Sequence, residues 1–164
     1  MSGQSRPTAV VSVQVRAEPA FTFERFVRDV DQWWRRGPKY RHAGRHPGTI
    51  RFEEWLGGRV HETWTEGGEA REFEMGRIIA WEPPRRFAYT WRNATFAPHE
   101  VTEVEVTFQA LGGGTLVTVR HCGWERLRPD HPARHGQDDA AFARELGLWW
   151  GEQMSALRET IAAG

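Results

Sequence analysis

The chain has 164 residues, in which 22 Lys and Arg balance 22 Asp and Glu. A formal net charge of zero gives no global attraction to nucleic acid or to a membrane surface, and no apolar run is long enough to span a bilayer. The length favours one domain with a sizeable core, and the single cysteine, Cys122, excludes an internal disulfide framework and favours a reducing, cytoplasmic location.

The chain begins with a short polar stretch and a strand. Residues 1–7 have no apolar signal-peptide core, so we expect a flexible N-terminal tail followed by a single domain over residues 8–164. Residues 8–16 alternate and are rich in valine, which predicts the first strand.

Two short helices are predicted next, followed by a basic loop. Pro19 suits the first turn of a helix, and Asp31 is predicted to cap a second helix that carries Trp33 and Trp34. Residues 35–47 are basic and contain two prolines. We interpret them as a solvated loop, with contact to an anionic ligand or partner as the alternative.

Six further strands are predicted before the last helix. Glycine-rich turns separate most of them, and Gly76 is predicted to bulge the longest one. Consecutive turns of hairpin length imply an antiparallel sheet. The predicted strands are 49–55, 59–66, 69–81, 86–92, 101–110 and 115–122.

A long helix is predicted over residues 138–162. Asp138 and Asp139 suit its first turn, where backbone N–H groups are unpaired. Two glycines, Gly147 and Gly151, lie at the edge of the apolar arc, and we expect Gly147 to make room beside the tryptophans. The arc itself recurs at three- and four-residue spacing: Phe142, Leu146, Trp149, Trp150, Met154, Leu157 and Ile161.

These elements predict an α+β fold in which one face of the sheet is covered by the long helix. Their order resembles the helix-grip fold of the START-like (SRPBCC) superfamily, and more narrowly the family of homologues of the C-terminal domain of the heat-shock-protein-90 ATPase activator. The resemblance covers roughly residues 8–162. It rests on LGGRV at 56–60, GRI at 76–78, WEPPRRF at 81–87, YTW at 89–91, GT at 114–115, His121 with GW at 123–124, and WW at 149–150.

The resemblance implies a curved antiparallel sheet of about seven strands wrapped around a C-terminal helix, with two short helices after the first strand. It also implies a cavity that binds a small hydrophobic or amphipathic molecule. One alternative is a chaperone-interacting module of the ATPase-activator kind, in a stress response or through self-association. Another is a hydrolase or cyclase that uses glutamate and histidine in the cavity.

Strand alternation predicts which side chains face that cavity. Four polar groups are expected on the helix-facing side, and they are Glu54, Glu62, Tyr89 and His121. The expected aromatic lining comprises Trp64, Trp91 and Trp149, with Gly147 beside it. A buried carboxylate facing histidine could perform acid–base chemistry, while the alternative is that these groups satisfy one another structurally.

Neither a metal nor a cofactor is predicted. His42 and His46, like His131 and His135, have a spacing of four, but both pairs lie among Gly and Pro with no third ligand placed. Cys122 and its neighbour on the strand point to opposite faces, so they do not form a nucleophile–base pair. The expected partner is a small apolar molecule.

Overall fold

The computed structural model describes residues 8–164, so the tail predicted for residues 1–7 lies outside the described residues. It has the predicted α+β architecture, in which a seven-stranded sheet curls around a long C-terminal helix. The strands are β1 Ala9–Val15, β2 Gly48–Phe52, β3 Arg59–Glu66, β4 Glu69–Glu82, β5 Arg86–Trp91, β6 Thr102–Leu111 and β7 Gly114–Cys122. The helices are α1 Pro19–Arg28, α2 Val30–Trp33 and α3 Asp139–Ala163, with short 3₁₀ helices at Trp124–Arg126 and Pro132–Arg134.

The sheet is antiparallel throughout, in the order β1-β7-β6-β5-β4-β3-β2. Five consecutive hairpins run from β2 to β7, and β1 then pairs with β7 at the far edge. The two short helices leave from β1 and cross to β2, which is the opposite edge. Because the sheet curls, its concave face is closed by α1 on one side and α3 on the other.

The predicted bulge next to Gly76 is present. Val60 pairs with Gly76 and His61 with Glu74, so Met75 is the extra residue on β4. A Cβ atom on Gly76 would lie 1.6 Å from the backbone oxygen of Thr90. Only glycine allows β4 to approach β5 this closely.

Helix α3 docks through the predicted apolar arc. Asp138 caps it, since its carboxylate accepts a hydrogen bond of 2.8 Å from the backbone N–H of Ala141. Trp150, Met154 and Leu157 are at most 1% exposed, and α3 makes most of its contacts with β1. None of the helices within residues 8–164 is long and apolar enough to cross a membrane.

The predicted cap of α2 is wrong. Asp29 occupies the cap position, and Asp31 lies inside the helix. Its Oδ1 instead accepts hydrogen bonds of 3.0 Å from the backbone N–H of Ile50 and 2.6 Å from Arg41. Asp31 therefore ties α2 to β2 rather than starting a helix.

Candidate functional site

The middle of the concave face is a row of buried side chains on three neighbouring strands. Tyr89 on β5 pairs with Val104 on β6, which pairs with His121 on β7. All three are at most 1% exposed. Alternation therefore predicted the inward direction of Tyr89 and His121 correctly, while a role in ligand binding stays a prediction.

His121 is the centre of a closed hydrogen-bond chain. The indole N–H of Trp150 donates to His121 Nδ1 at 3.1 Å. Because Nδ1 is an acceptor, the ring proton of neutral His121 is on Nε2, which donates to Thr102 Oγ1 at 2.8 Å. The Thr102 hydroxyl donates in turn to the backbone oxygen of Trp91 at 3.0 Å.

These hydrogen bonds leave neither ring nitrogen of His121 free. Burial also lowers the pKa of His121 from 6.5 to about 3, so the ring is neutral at physiological pH. A general base needs an available nitrogen and a pKa near the working pH. Through these hydrogen bonds, His121 therefore positions the side chains of Trp150 and Thr102.

Tyr89 carries a buried hydroxyl with no hydrogen-bond partner among the described residues. Its ring packs against Phe52 at 5.3 Å and Phe87 at 5.8 Å between centroids. Burial raises the pKa of Tyr89 and keeps the hydroxyl protonated. A buried unpaired hydroxyl costs roughly 1–3 kcal/mol, so a hydrogen-bond partner for Tyr89 would stabilise the protein.

Five aromatic side chains surround His121 at one end of the sheet, and we call them, with His121, the aromatic cluster. Neighbouring ring centroids in it lie 4.6–6.0 Å apart. Its members are Trp91, Phe96, His121, Trp124, Phe142 and Trp150. The indole N–H groups of Trp91 and Trp124 are both buried and lack a partner within residues 8–164.

Glu62 is buried as predicted but does not face His121 in a hydrogen bond. Its carboxylate is 0% exposed and accepts the backbone N–H groups of His42 at 2.7 Å and Ala43 at 3.3 Å. The His42 ring Nδ1 lies 3.5 Å away. The predicted Glu–His pairing in the cavity is therefore not formed, because Glu62 holds the preceding loop.

The basic loop at residues 35–47, which we call the strap, is not a freely solvated segment. Its Arg41 is only 5% exposed and donates to Asp31, to the backbone oxygen of Trp34 at 2.6 Å and to that of Arg35 at 3.2 Å. Most donors of this guanidinium are thus used internally. The strap is a folded segment that lies between β3 and α3.

Contacts with α3 hold the other side of the strap. The indole N–H of Trp149 donates to the backbone oxygen of Lys39 at 3.0 Å. Glu152 binds the Lys39 ammonium at 2.8 Å and the Tyr40 hydroxyl. Gln153 Oε1 accepts the backbone N–H of Arg35 at 2.9 Å. Trp149 therefore supports the strap instead of lining an open cavity.

Two predicted site residues lie elsewhere. Strand β2 ends at Phe52, so alternation no longer applies to Glu54, whose half-exposed carboxylate pairs with Arg28 at 3.3 Å. Trp64 lies near the end of β3 and donates to Glu66 at 3.3 Å. The prediction that Glu54 faces the helix is wrong.

Gly147 does not make room for a packed neighbour. A Cβ atom added at Gly147 or at Gly151 meets no atom within 4 Å. The expectation that a methyl group at Gly147 would intrude on the sheet is wrong, because the backbone of α3 faces open space at these positions.

The side chains predicted to line the cavity do not lie together around either of the two clefts described here. A groove of about 530 Å³ runs along β2, β3 and β4 beside Trp64, and it is open to solvent. A second open cleft, of about 440 Å³, lies between α2, the strap and the end of α3 beside Trp34. Tyr89 and Trp91 line neither of these two clefts; Tyr89 is 0% exposed and Trp91 is partly exposed.

The histidine pairs serve as structural contacts. His131 Nε2 lies 3.2 Å from Glu100 Oε1, and its Nδ1 accepts from the backbone N–H of Ala133. His46 lies 3.6 Å from Glu66. Within the described part of the chain no three His, Cys, Asp or Glu side chains are grouped to hold a metal ion.

Sequence reasoning missed Gln153 and Thr102. Gln153 is 0% exposed, and its position three residues after Trp150 places it inside the apolar arc of α3. A polar residue within such an arc was the available signal. Thr102 gave no comparable signal, because its bond to His121 depends on the register of β6 and β7.

Comparisons with known proteins agree with this architecture. A family model described as "Activator of Hsp90 ATPase homolog 1-like protein" matches residues 13–158. No significant match was found among curated proteins.

Solved structures share the fold at low identity. A protein from Rhodobacter sphaeroides has a TM-score of 0.66 and 22% identity, over 100% of this chain and 97% of its own. The Aha1 dimer from Colwellia psychrerythraea has a TM-score of 0.61 and 11% identity, over 94% and 95%. CalU16 from Micromonospora echinospora has a TM-score of 0.58 and 17% identity, over 94% and 73%.

Proposed function

We propose that this chain, which belongs to the family of Activator of Hsp90 ATPase homolog 1-like proteins, binds a small hydrophobic or amphipathic molecule between the concave face of its sheet and α3. The observation that carries the proposal is the Tyr89 hydroxyl, which is fully buried on that face without a partner among residues 8–164. A bound molecule that pairs with this hydroxyl would recover the free energy that an unpaired buried hydroxyl costs.

The strap provides the route into this interior. On the α3 side it is held by the pair of Lys39 and Glu152, whose side chains are 60% and 40% exposed. Exposed ion pairs contribute little stability, so opening this side mainly breaks the hydrogen bonds that Trp149 and Gln153 make to the strap backbone. On the β3 side the buried Glu62 keeps the strap attached. The ligand therefore enters past Trp149 while the strap stays anchored to the sheet.

Native mass spectrometry of the gently purified protein tests the proposal. We expect a species heavier than the polypeptide that loses its extra mass under denaturing conditions, or saturable binding of an apolar fluorescent dye after that mass is stripped. A protein that shows only the polypeptide mass and binds no dye would contradict the proposal.

Tyr89→Phe separates a binding role from a packing role. Removing an unpartnered hydroxyl while keeping the ring should leave the empty protein as stable or make it more stable. The same change should weaken ligand binding, because the ligand loses a hydrogen bond. A structural role for the hydroxyl predicts the opposite change in stability, measured by denaturant unfolding.

A second candidate function is an interaction module for a chaperone. Trp55 and Leu56, in the turn between β2 and β3, are 56% and 67% exposed. Exposed apolar side chains of this size are typical of protein contacts when they adjoin one another. The measurement is the ATPase rate of an Hsp90-type chaperone with the wild type and with Trp55→Ser. A rate increase that Trp55→Ser abolishes would favour this function.

A further inference from the structure

Four buried polar atoms near the concave face can donate a hydrogen bond and lack a partner within residues 8–164. Tyr89 Oη and Trp91 Nε1 lie two residues apart on β5, and Trp124 Nε1 lies in the aromatic cluster next to Trp91, with ring centroids 5.9 Å apart. The fourth atom, Gln153 Nε2, belongs to α3. Its amide orientation is fixed because Oε1 faces the backbone N–H of Arg35.

The acceptors in the same region are already used. His121 Nδ1 accepts from Trp150, and Thr102 accepts from His121. The carboxylate of Glu62 accepts two backbone N–H groups of the strap. A molecule placed against this face therefore meets free hydrogen-bond donors. If the molecule itself carries a donor, the Tyr89 oxygen is the free acceptor that Tyr89, Val104, His121 and the aromatic cluster offer it.

The aromatic cluster has no charged member of its own. The only titratable member of the aromatic cluster is His121, which is neutral and fully hydrogen-bonded. Charges of both signs adjoin the cluster, since Glu100 pairs with His131 next to Phe96, while Arg92 donates to the backbone oxygen of Phe96 at 2.9 Å and Arg134 lies over the Phe142 ring. Among the atoms of the cluster itself, the indole N–H groups of Trp91 and Trp124 are the ones left without a partner within residues 8–164.

We propose that the ligand is a largely apolar molecule that carries a carbonyl-type oxygen, and that this oxygen accepts hydrogen bonds from the indole N–H groups of Trp91 and Trp124. The inference rests on the proposed function, since it specifies the chemistry of the ligand in the same interior. Indole N–H groups are donors only, so they select for an acceptor and against a hydrocarbon of the same shape.

Two probes of nearly equal shape test this selection. Benzophenone and diphenylmethane differ in one carbonyl oxygen, and their dissociation constants can be measured from quenching of tryptophan fluorescence. We expect the wild type to bind benzophenone about three- to tenfold more tightly, the range that one hydrogen bond supplies.

Trp124→Phe and Trp91→Phe each remove an N–H group and keep an aromatic ring. At least one of them should bring the affinity ratio close to one while diphenylmethane binding is retained. The control is Trp64→Phe, which removes an indole N–H that pairs with Glu66 outside the aromatic cluster and should leave the ratio unchanged. Thermal unfolding identifies a variant that has lost its fold, in which case the other tryptophan variant decides.

The outcomes separate the two proposals. Equal affinities in the wild type, or a ratio that both cluster variants retain, would overturn the acceptor site and leave ligand binding standing. Failure of both probes to bind the wild type would overturn the proposed function together with this site. A ratio that only Trp64→Phe abolishes would move the site to the outer groove and overturn the inference.

Discussion

His121 is a buried histidine whose two ring nitrogens are both hydrogen-bonded. The donor-only indole of Trp150 fixes the tautomer, and Thr102 receives the remaining proton. A charged ring would have to lie in an apolar core and would face the indole N–H, so protonation opposes folding. Because burial lowers the pKa of His121 to about 3 from 6.5, the unfolded chain binds a proton at a higher pH than the native chain does.

We therefore predict that His121 makes stability depend on pH in mildly acidic solution. Stability is fully present above pH 6.5 and falls as the pH drops towards 3, with a slope of up to about 1.4 kcal/mol per pH unit. Backbone hydrogen bonds from Arg59 and Ala97 lower the pKa values of Glu53 and Glu100 below 4.5, so these carboxylates act at lower pH.

The measurement is urea unfolding between pH 4.5 and 6.5 for the wild type and for His121→Gln. The wild type should lose stability across this range, and the variant should show a flatter profile. Parallel profiles would mean that His121 is protonated as readily in the native protein as in the unfolded chain.

Gly147 and Gly151 are expected to be replaceable. Because a Cβ atom at either position meets open space, Gly147→Ala should stabilise α3 by about 0.4–1 kcal/mol through lower backbone entropy of the unfolded chain. Gly76→Ala is the opposite case, since its Cβ atom would overlap the Thr90 oxygen and must displace β5. Denaturant unfolding of these two variants checks both signs, and a destabilised Gly147→Ala protein would contradict the geometry.

The strap is attached to the sheet by one buried carboxylate, that of Glu62 on β3. Glu62 receives backbone N–H groups from two consecutive residues, and no other carboxylate of the predicted site does so. Both oxygens act as acceptors. An amide in the same place would turn a donor towards one of these N–H groups.

Glu62→Gln should therefore destabilise the fold by about 1.5–3 kcal/mol, the usual contribution of hydrogen bonds to a buried charge. The matched control is Glu54→Gln, because Glu54 is half-exposed and pairs only at the surface, so its unfolding midpoint should stay within error of the wild type. Equal losses in the two variants would show that the strap is not anchored by Glu62.

Two leucines on α3 test how that helix docks. Leu157 is 0% exposed and belongs to the main core, while Leu148 is 71% exposed. Leu157→Ala should cost about 2–5 kcal/mol in unfolding free energy, and Leu148→Ala should change it little. Superimposable unfolding curves for the wild type and Leu157→Ala would exclude the docking described here.

The elements were predictable because they depend on local patterns. The hairpin turns and the 3.6-residue period of α3 placed β3 at its observed bounds and placed α3 within one residue of its own. Glu54 was misplaced because the strand ends two residues before it, and a strand end depends on pairing that the sequence does not state. The bonds of Glu62 and Gln153 to the strap were not predictable for the same reason, since they join distant segments.

The whole molecule is organised around one main buried core. The sheet, α1 and α3 bury an aromatic core, and the strap covers the gap between β3 and α3 through contacts that differ in strength. The open clefts lie outside this interior, beside Trp64 and Trp34. We propose that a ligand reaches the buried face by movement of the strap, whereas the two clefts are open to solvent.

Methyl NMR during a titration with benzophenone tests the location of the ligand most directly. If the ligand binds between the sheet and α3, the methyl signals of Met154 and Val104, which are 1% and 0% exposed, should shift and saturate together while that of Leu148 stays unchanged. Shifts confined to the methyl groups of Thr63 and Thr65, which line the outer groove, would contradict the account.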